Sequence, residues 1–172
     1  NLRDTVDCMP AYIDKKNIDL FTKHAVLTET EMRARYEIHL ENYCKVTAIE
    51  AHTLLDMVTR CILPAAGKYA DRLAQTLFHK KNCGISLPTV MEERTLTRVS
   101  EQSAALFRIC EDLQTALHNA PAADGGIDVA RWYRAEIAAR TQQAGELINQ
   151  LEAIVDAACW PYPTYADILF SV

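Results

Sequence analysis

The 172-residue sequence lacks the spacings that most active sites require. None of its five histidines (His24, His39, His52, His79, His118) has a glutamate three residues earlier, and no HExxH occurs. Helix-borne metal centres built on those spacings are therefore excluded. Glu37 stands two residues before His39 and Glu50 two before His52, a step that points the paired side chains to different helix faces. No GxxxxGK[ST] or GxGxxG segment is present, so the common phosphate-cradling loops are absent. Ser86, Ser100, Ser103 and Ser171 sit in no nucleophile-elbow context. The six cysteines (Cys8, Cys44, Cys61, Cys83, Cys110, Cys159) form no CxxC pair, fall mostly at apolar helix positions and read as reduced, small core residues. No apolar run approaches the ~20 residues that span a bilayer, and the N-terminus has no signal-peptide pattern. No membrane partner and a cytoplasmic location are expected. The basic pairs Lys15-Lys16 and Lys80-Lys81 are isolated, and the net charge is −5, so no nucleic-acid partner is expected either. No segment alternates convincingly as a β-strand.

What remains is amphipathic helix. Residues 1–27 hold a short helical segment, with Pro10 placed in a first turn, where its missing N–H costs nothing. Thr28 and Glu31 form the reciprocal box that caps a helix start. The long helix that follows, over 28–83, carries Tyr36, Leu40, Tyr43, Leu54, Met57 and Cys61 at three- and four-residue steps. Thr47 and Glu50 interrupt that stripe, while Ile38, Ile49, Val58 and Ile62 widen it. Pro64 should kink this helix and Gly84 should end it. Thr89 with Glu92 offers a second capping box for a helix over 89–118. There Leu96, Val99, Ser103, Leu106, Cys110, Leu113 and Leu117 keep a strict heptad. "NAPAADGG" breaks the pattern, and Asp128 is a candidate cap for a last helix over 128–159. Its apolar face holds Tyr133, Ile137, Ala144, Ile148, Leu151, Val155 and Ala158, and its polar face Arg131, Arg134, Glu136 and Arg140. The expected fold is all-α: one domain over 1–172, an antiparallel bundle of three long helices with an extended tail over 160–172.

The tail, "WPYPTYADILFSV", departs from everything before it. Pro161 and Pro163 forbid a continuing helix and push Trp160 and Tyr162 toward extended backbone. With Tyr165, Ile168, Leu169 and Phe170 these residues are the candidate docking surface. Burying four or five such side chains is worth about 8–12 kcal/mol before entropy is subtracted, so the tail is expected to dock rather than fray.

Three blocks also carry a resemblance: "LRDTVD" near the start, "KKNIDLFTKHAVLTETEMRARYEIHLENYCKVTAIEA" over 15–51, and the closing "WPYPTYADILF". In this order they resemble the C-terminal region of type III glutamine synthetases, the long bacterial members of that family. The likeness is strongest at both ends and weakest from about Arg72 to Arg131. It implies a cytoplasmic parent ligase that joins ammonia to glutamate with ATP and Mg or Mn, working as a large homo-oligomer. Its catalytic and metal-binding residues would lie on an upstream barrel domain, so no catalytic, cofactor or metal residue carries over to this chain. The sequence begins with Asn, not Met, which fits an interior piece of a longer protein. The chain alone is thus expected to be inactive and to have two partners: the upstream catalytic domain and other copies of the parent. The alternative is a stand-alone helical interaction module with no enzyme attached.

Overall fold

The computed structural model describes residues 4–163 and 165–170; the side chains of Tyr165 and Ala166 lie outside the described set. Most of the described residues are helical and no strand occurs among them, so the fold is all-α. The chain divides into two compact units, Asn1–His52 with Leu113–Thr141 and Thr53–Asp112 with Gln142–Val172.

In the first unit, α1 (Thr5–Tyr12) starts at Asp4, whose carboxylate accepts the Asp7 amide at 3.0 Å. Pro10 lies inside this helix rather than in its first turn. α2 (Lys15–Lys23) is capped by Asp14, and Asn17 Nδ2 donates to the Ala11 carbonyl at 2.6 Å, locking the two short helices together. α3 (Glu29–Met57) opens with the box read from the sequence: the Thr28 amide donates to Glu31 Oε2 at 2.8 Å, and the Glu31 amide to Thr28 Oγ1 at 3.2 Å. The buried seam of α3 runs through Leu40, Cys44, Thr47 and Ala51. Thr47 is therefore part of the seam and not a break in it, while Ile38 and Ile49 are exposed. Small residues win these positions because they let helix backbones approach closely, and the larger branched side chains are turned outward.

The disturbance expected at Pro64 is a π-turn over Val58–Ile62, immediately ahead of the proline. Pro64 has no N–H for the carbonyl four residues back. The ladder reopens one residue wider, the Leu63 amide donating to the Val58 carbonyl, before α4 (Leu63–Asn82) resumes. Gly84, at φ +81°, then ends α4, a conformation that costs any other residue a Cβ clash.

α5 (Val90–His118) buries Val99, Leu106, Cys110 and Leu113 of its heptad. Its expected capping box is not the one found. Thr89 Oγ1 pairs with Glu93 at 3.1 Å, while Glu92 turns inward to Lys80 Nζ at 2.5 Å. Glu92 is only 2% exposed, and its other carboxylate oxygen is buried without a partner. Lys81 pairs with Glu93 at 3.0 Å beside it, so two ion pairs clamp the α4–α5 turn.

The last rod begins earlier than Asp128 suggests. α6 (Gly126–Trp132) has Gly125 at its N-cap, and Asp128 in the first turn pairs with Arg131 at 2.9 Å. A second π-turn spans Tyr133–Ala138, with the Ala139 amide reaching the Arg134 carbonyl, before α7 (Ala139–Glu152). No proline announces it. Side chains take up the loosened carbonyls: Arg140 donates to Glu136 O at 2.6 Å and Thr141 to Ile137 O at 3.0 Å. The sequence also overstates this helix, which stops at Glu152 and not at 159. Tight turns replace it, with the Val155 amide on the Leu151 carbonyl and the Ala158 amide on the Asp156 carboxylate. An aspartate that offers its own acceptor to the chain two residues on competes with helix.

In the second unit, Val58, Ile62 and Ala66 pack with Val99, Leu106 and Cys110 and with Ala144, Leu151 and Val155 in one core.

The clamped turn makes a pH prediction. Hydrogen bonds from Lys80 to Glu92, and from Lys81 to Glu93, hold both carboxyls below their ordinary value of 4.5. A carboxyl whose folded value is lowered stabilises the fold above its unfolded value and loses that contribution as pH falls through the folded one. Melting temperature should therefore be flat above about pH 5 and fall progressively below 4.5. Glu92→Gln should be less stable at pH 7 and show a shallower acid decline; a parallel decline in variant and parent would remove Glu92 from the account.

Candidate docking surface

The tail's path is set by what precedes it. After α7 the turns at Leu151–Trp160 reverse the chain, and Pro161 and Pro163 hold the next few residues out of helix. Trp160 and Tyr162 are half-buried against the core of the second unit. Hydrogen bonding with the Cys61 thiol, burial and the nearby Asp56 charge hold the Tyr162 phenol above its usual value. The tail thus closes over the π-turn, where Cys61 lies.

The tail is expected to be extended; Trp160–Pro163 are non-helical with bends at Pro161 and Tyr162, and Tyr165–Phe170 form a short helix, α8. Once past Pro163 nothing forbids helix, and Ala166, Leu169 and Phe170 follow at helical steps. Tyr165 opens α8, and its side chain lies outside the described residues. Ile168, Leu169 and Phe170 are 63, 73 and 79% exposed. Of the six candidate docking residues, the structure therefore seats two on this chain's own core and leaves three turned largely to solvent.

Between tail and helices lies a cavity of about 370 Å³, open on one side. Leu54, Met57 and Ile148 line it from the helices, and Trp160, Tyr162 and Ile168 from the tail. Asn149 and Glu152 are among its few polar groups. Such a lining binds apolar surface and offers little for polar chemistry.

The first unit has a polar centre instead. Arg134 Nη1 donates to Asp7 Oδ1 at 2.6 Å and to Asp4 Oδ1 at 3.3 Å, tying the first turn of α1 to the second π-turn. Arg134, read from the sequence as part of a solvated face, is thus a structural tether; only the fold brings residues so far apart in sequence together. Burial raises the thiols of Cys44 and Cys110, which makes them poor nucleophiles at neutral pH. Cys8 and Cys83 are exposed, against the expectation of core positions, and all six cysteines are free. No group of three or more His, Cys, Asp or Glu suited to a metal ion occurs among the described residues. No helix among them is long and apolar enough to cross a membrane.

The sequence has relatives along its whole length. Residues 1–81 match the family described as the glutamine synthetase C-terminal domain. A glutamine synthetase of Butyrivibrio fibrisolvens is 29% identical over 172 residues, covering 100% of this chain and 25% of that protein. A type-3 glutamine synthetase of Dictyostelium discoideum is 24% identical, covering 99% of this chain and 24% of its own length. A glutamine synthetase of Bacteroides fragilis is 23% identical, with 99 and 24% covered. The chain spans about a quarter of the length of these relatives. The chain is thus similar along its whole length to glutamine synthetases, and over residues 1–81 to their C-terminal domain.

Proposed function

We propose that this chain is the non-catalytic C-terminal helical domain of a type III glutamine synthetase. On this reading it packs on an upstream catalytic domain or supports oligomer assembly. The parent would ligate ammonia to glutamate in the cytoplasm with ATP and Mg or Mn, none of which this domain binds itself. The observation that carries the reading is the likeness over the full chain to a quarter of each longer enzyme, one of them named type-3. The exposed apolar end of α8 supports it, since Ile168, Leu169 and Phe170 at such exposure suit a surface that a partner covers.

The test is direct. The 172-residue chain, supplied with ATP, glutamate, ammonia and magnesium, should form no glutamine, and the full-length polypeptide should form it. Turnover by the chain alone would overturn this division of labour.

A further inference from the structure

One stripe of α7 differs from the rest of that helix. Gly145, Ile148, Asn149 and Glu152 follow at steps of three and four, share a helix face and line the cavity of about 370 Å³. Glycine is among the poorest helix formers, and Gly145 does not have the positive φ that would call for one. A Cβ placed on it would meet nothing within 4 Å beyond its own helix backbone. Neither the helix nor its packing asks for glycine here, and the space it leaves belongs to the cavity. Glu152 is the second unusual member of the stripe. Among the described residues that line the cavity it alone is charged. Glu92, Glu93 and Glu136 each find a lysine or an arginine. The half-buried Glu152 side chain has neither ion pair nor hydrogen bond among the described residues. Trp160 and Tyr162 bring two aromatic rings to the same space.

We infer that this cavity binds a small organic amine, one protonated nitrogen on an apolar body. The lining selects that class over its neighbours. A neutral apolar molecule would strip water from the Glu152 carboxylate and put nothing in its place. An anion would meet a like charge in a chain already at −5. An ammonium can donate to Glu152 and to the side-chain carbonyl of Asn149 on the same helix face, and aromatic rings attract cations. The apolar body then covers Leu54, Met57 and Ile148 and enters the space that Gly145 leaves open. A cavity of this volume suits about ten non-hydrogen atoms, a ring with a short chain. An amine site here stands whatever the parent polypeptide does, and so lies beyond the preceding reading.

Titration of the 172-residue chain with 2-phenylethylamine hydrochloride, by calorimetry and amide NMR, tests it. The amine should bind at one site with a dissociation constant below about 1 mM. The Gly145 amide and the Trp160 indole signals should shift together as it binds. Its neutral isostere, 2-phenylethanol, should bind at least about ten-fold more weakly. Glu152→Gln should abolish that preference with unchanged circular dichroism. Gly145→Leu fills the space, and should weaken amine binding at least about ten-fold without lowering the melting temperature. Absence of saturable binding up to 10 mM amine, at about ten times the expected constant, overturns the inference. So does an alcohol that binds as tightly as the amine, a preference that survives Glu152→Gln, or shifts that spare both Gly145 and Trp160.

Discussion

Removing Trp160–Val172 is expected to lower the stability of the chain by about 2–3 kcal/mol, because two half-buried aromatic side chains leave the second unit's core. For a chain of this size that is a fall of roughly 5–10 °C in melting temperature. The deletion also takes away the tail residues Trp160, Tyr162, Pro163 and Ile168 that line the cavity opposite Leu54, Met57 and Ile148. Lining and docking end can be separated at Leu169 and Phe170, which are exposed and are not among the residues that line the cavity. Leu169→Asp and Phe170→Asp alter side chains that already face solvent, so the melting temperature of the chain alone should move by less than about 2 °C. In the full-length polypeptide the same two changes place charge in a surface proposed to be covered, and should reduce oligomer size or ligation rate. Sedimentation and a glutamine assay on the full-length enzyme give the answer. Unchanged size and rate would leave the tail as lining for this domain's cavity and nothing more.

How far the sequence reveals this structure depends on how local each cause is. Thr28 with Glu31, and Gly84 after α4, are local devices and stand where their spacing puts them. The α5 heptad is local in the same sense, since one helix face repeats in register with its own sequence. The errors arise where a distant group decides. Glu92 leaves its capping role because Lys80 is within reach across the turn, a competition no three-residue spacing contains. Arg134 reads as surface until Asp4 and Asp7 are brought beside it. α7 stops seven residues early through an acceptor at Asp156, with neither glycine nor proline to announce the end. The second π-turn likewise has no breaker residue to betray it. At the candidate docking surface, the aromatic and apolar residues were legible as a group. Their split into a half-buried pair and an exposed end was not, because it turns on where the chain reverses after Glu152.

Leu106→Ala should be the most damaging single substitution in the second unit. Leu106 is fully buried and lies on α5, facing the core that Ile62, Ala66, Ala144 and Leu151 share. Truncation removes three carbons' worth of buried apolar surface and leaves a cavity that helical neighbours refill only in part. The expected cost is about 2–5 kcal/mol, or roughly 5–15 °C in melting temperature. Phe107→Ala is the matched control: one residue on, it removes a larger side chain, but one that is half exposed. Its cost should stay below about 1 kcal/mol. If the heptad seam carries the stability of this unit, position outweighs size and the smaller deletion does more harm. Thermal and urea melts of both variants decide it; equal losses, or a larger loss for Phe107→Ala, would mean that the core is not centred on this seam.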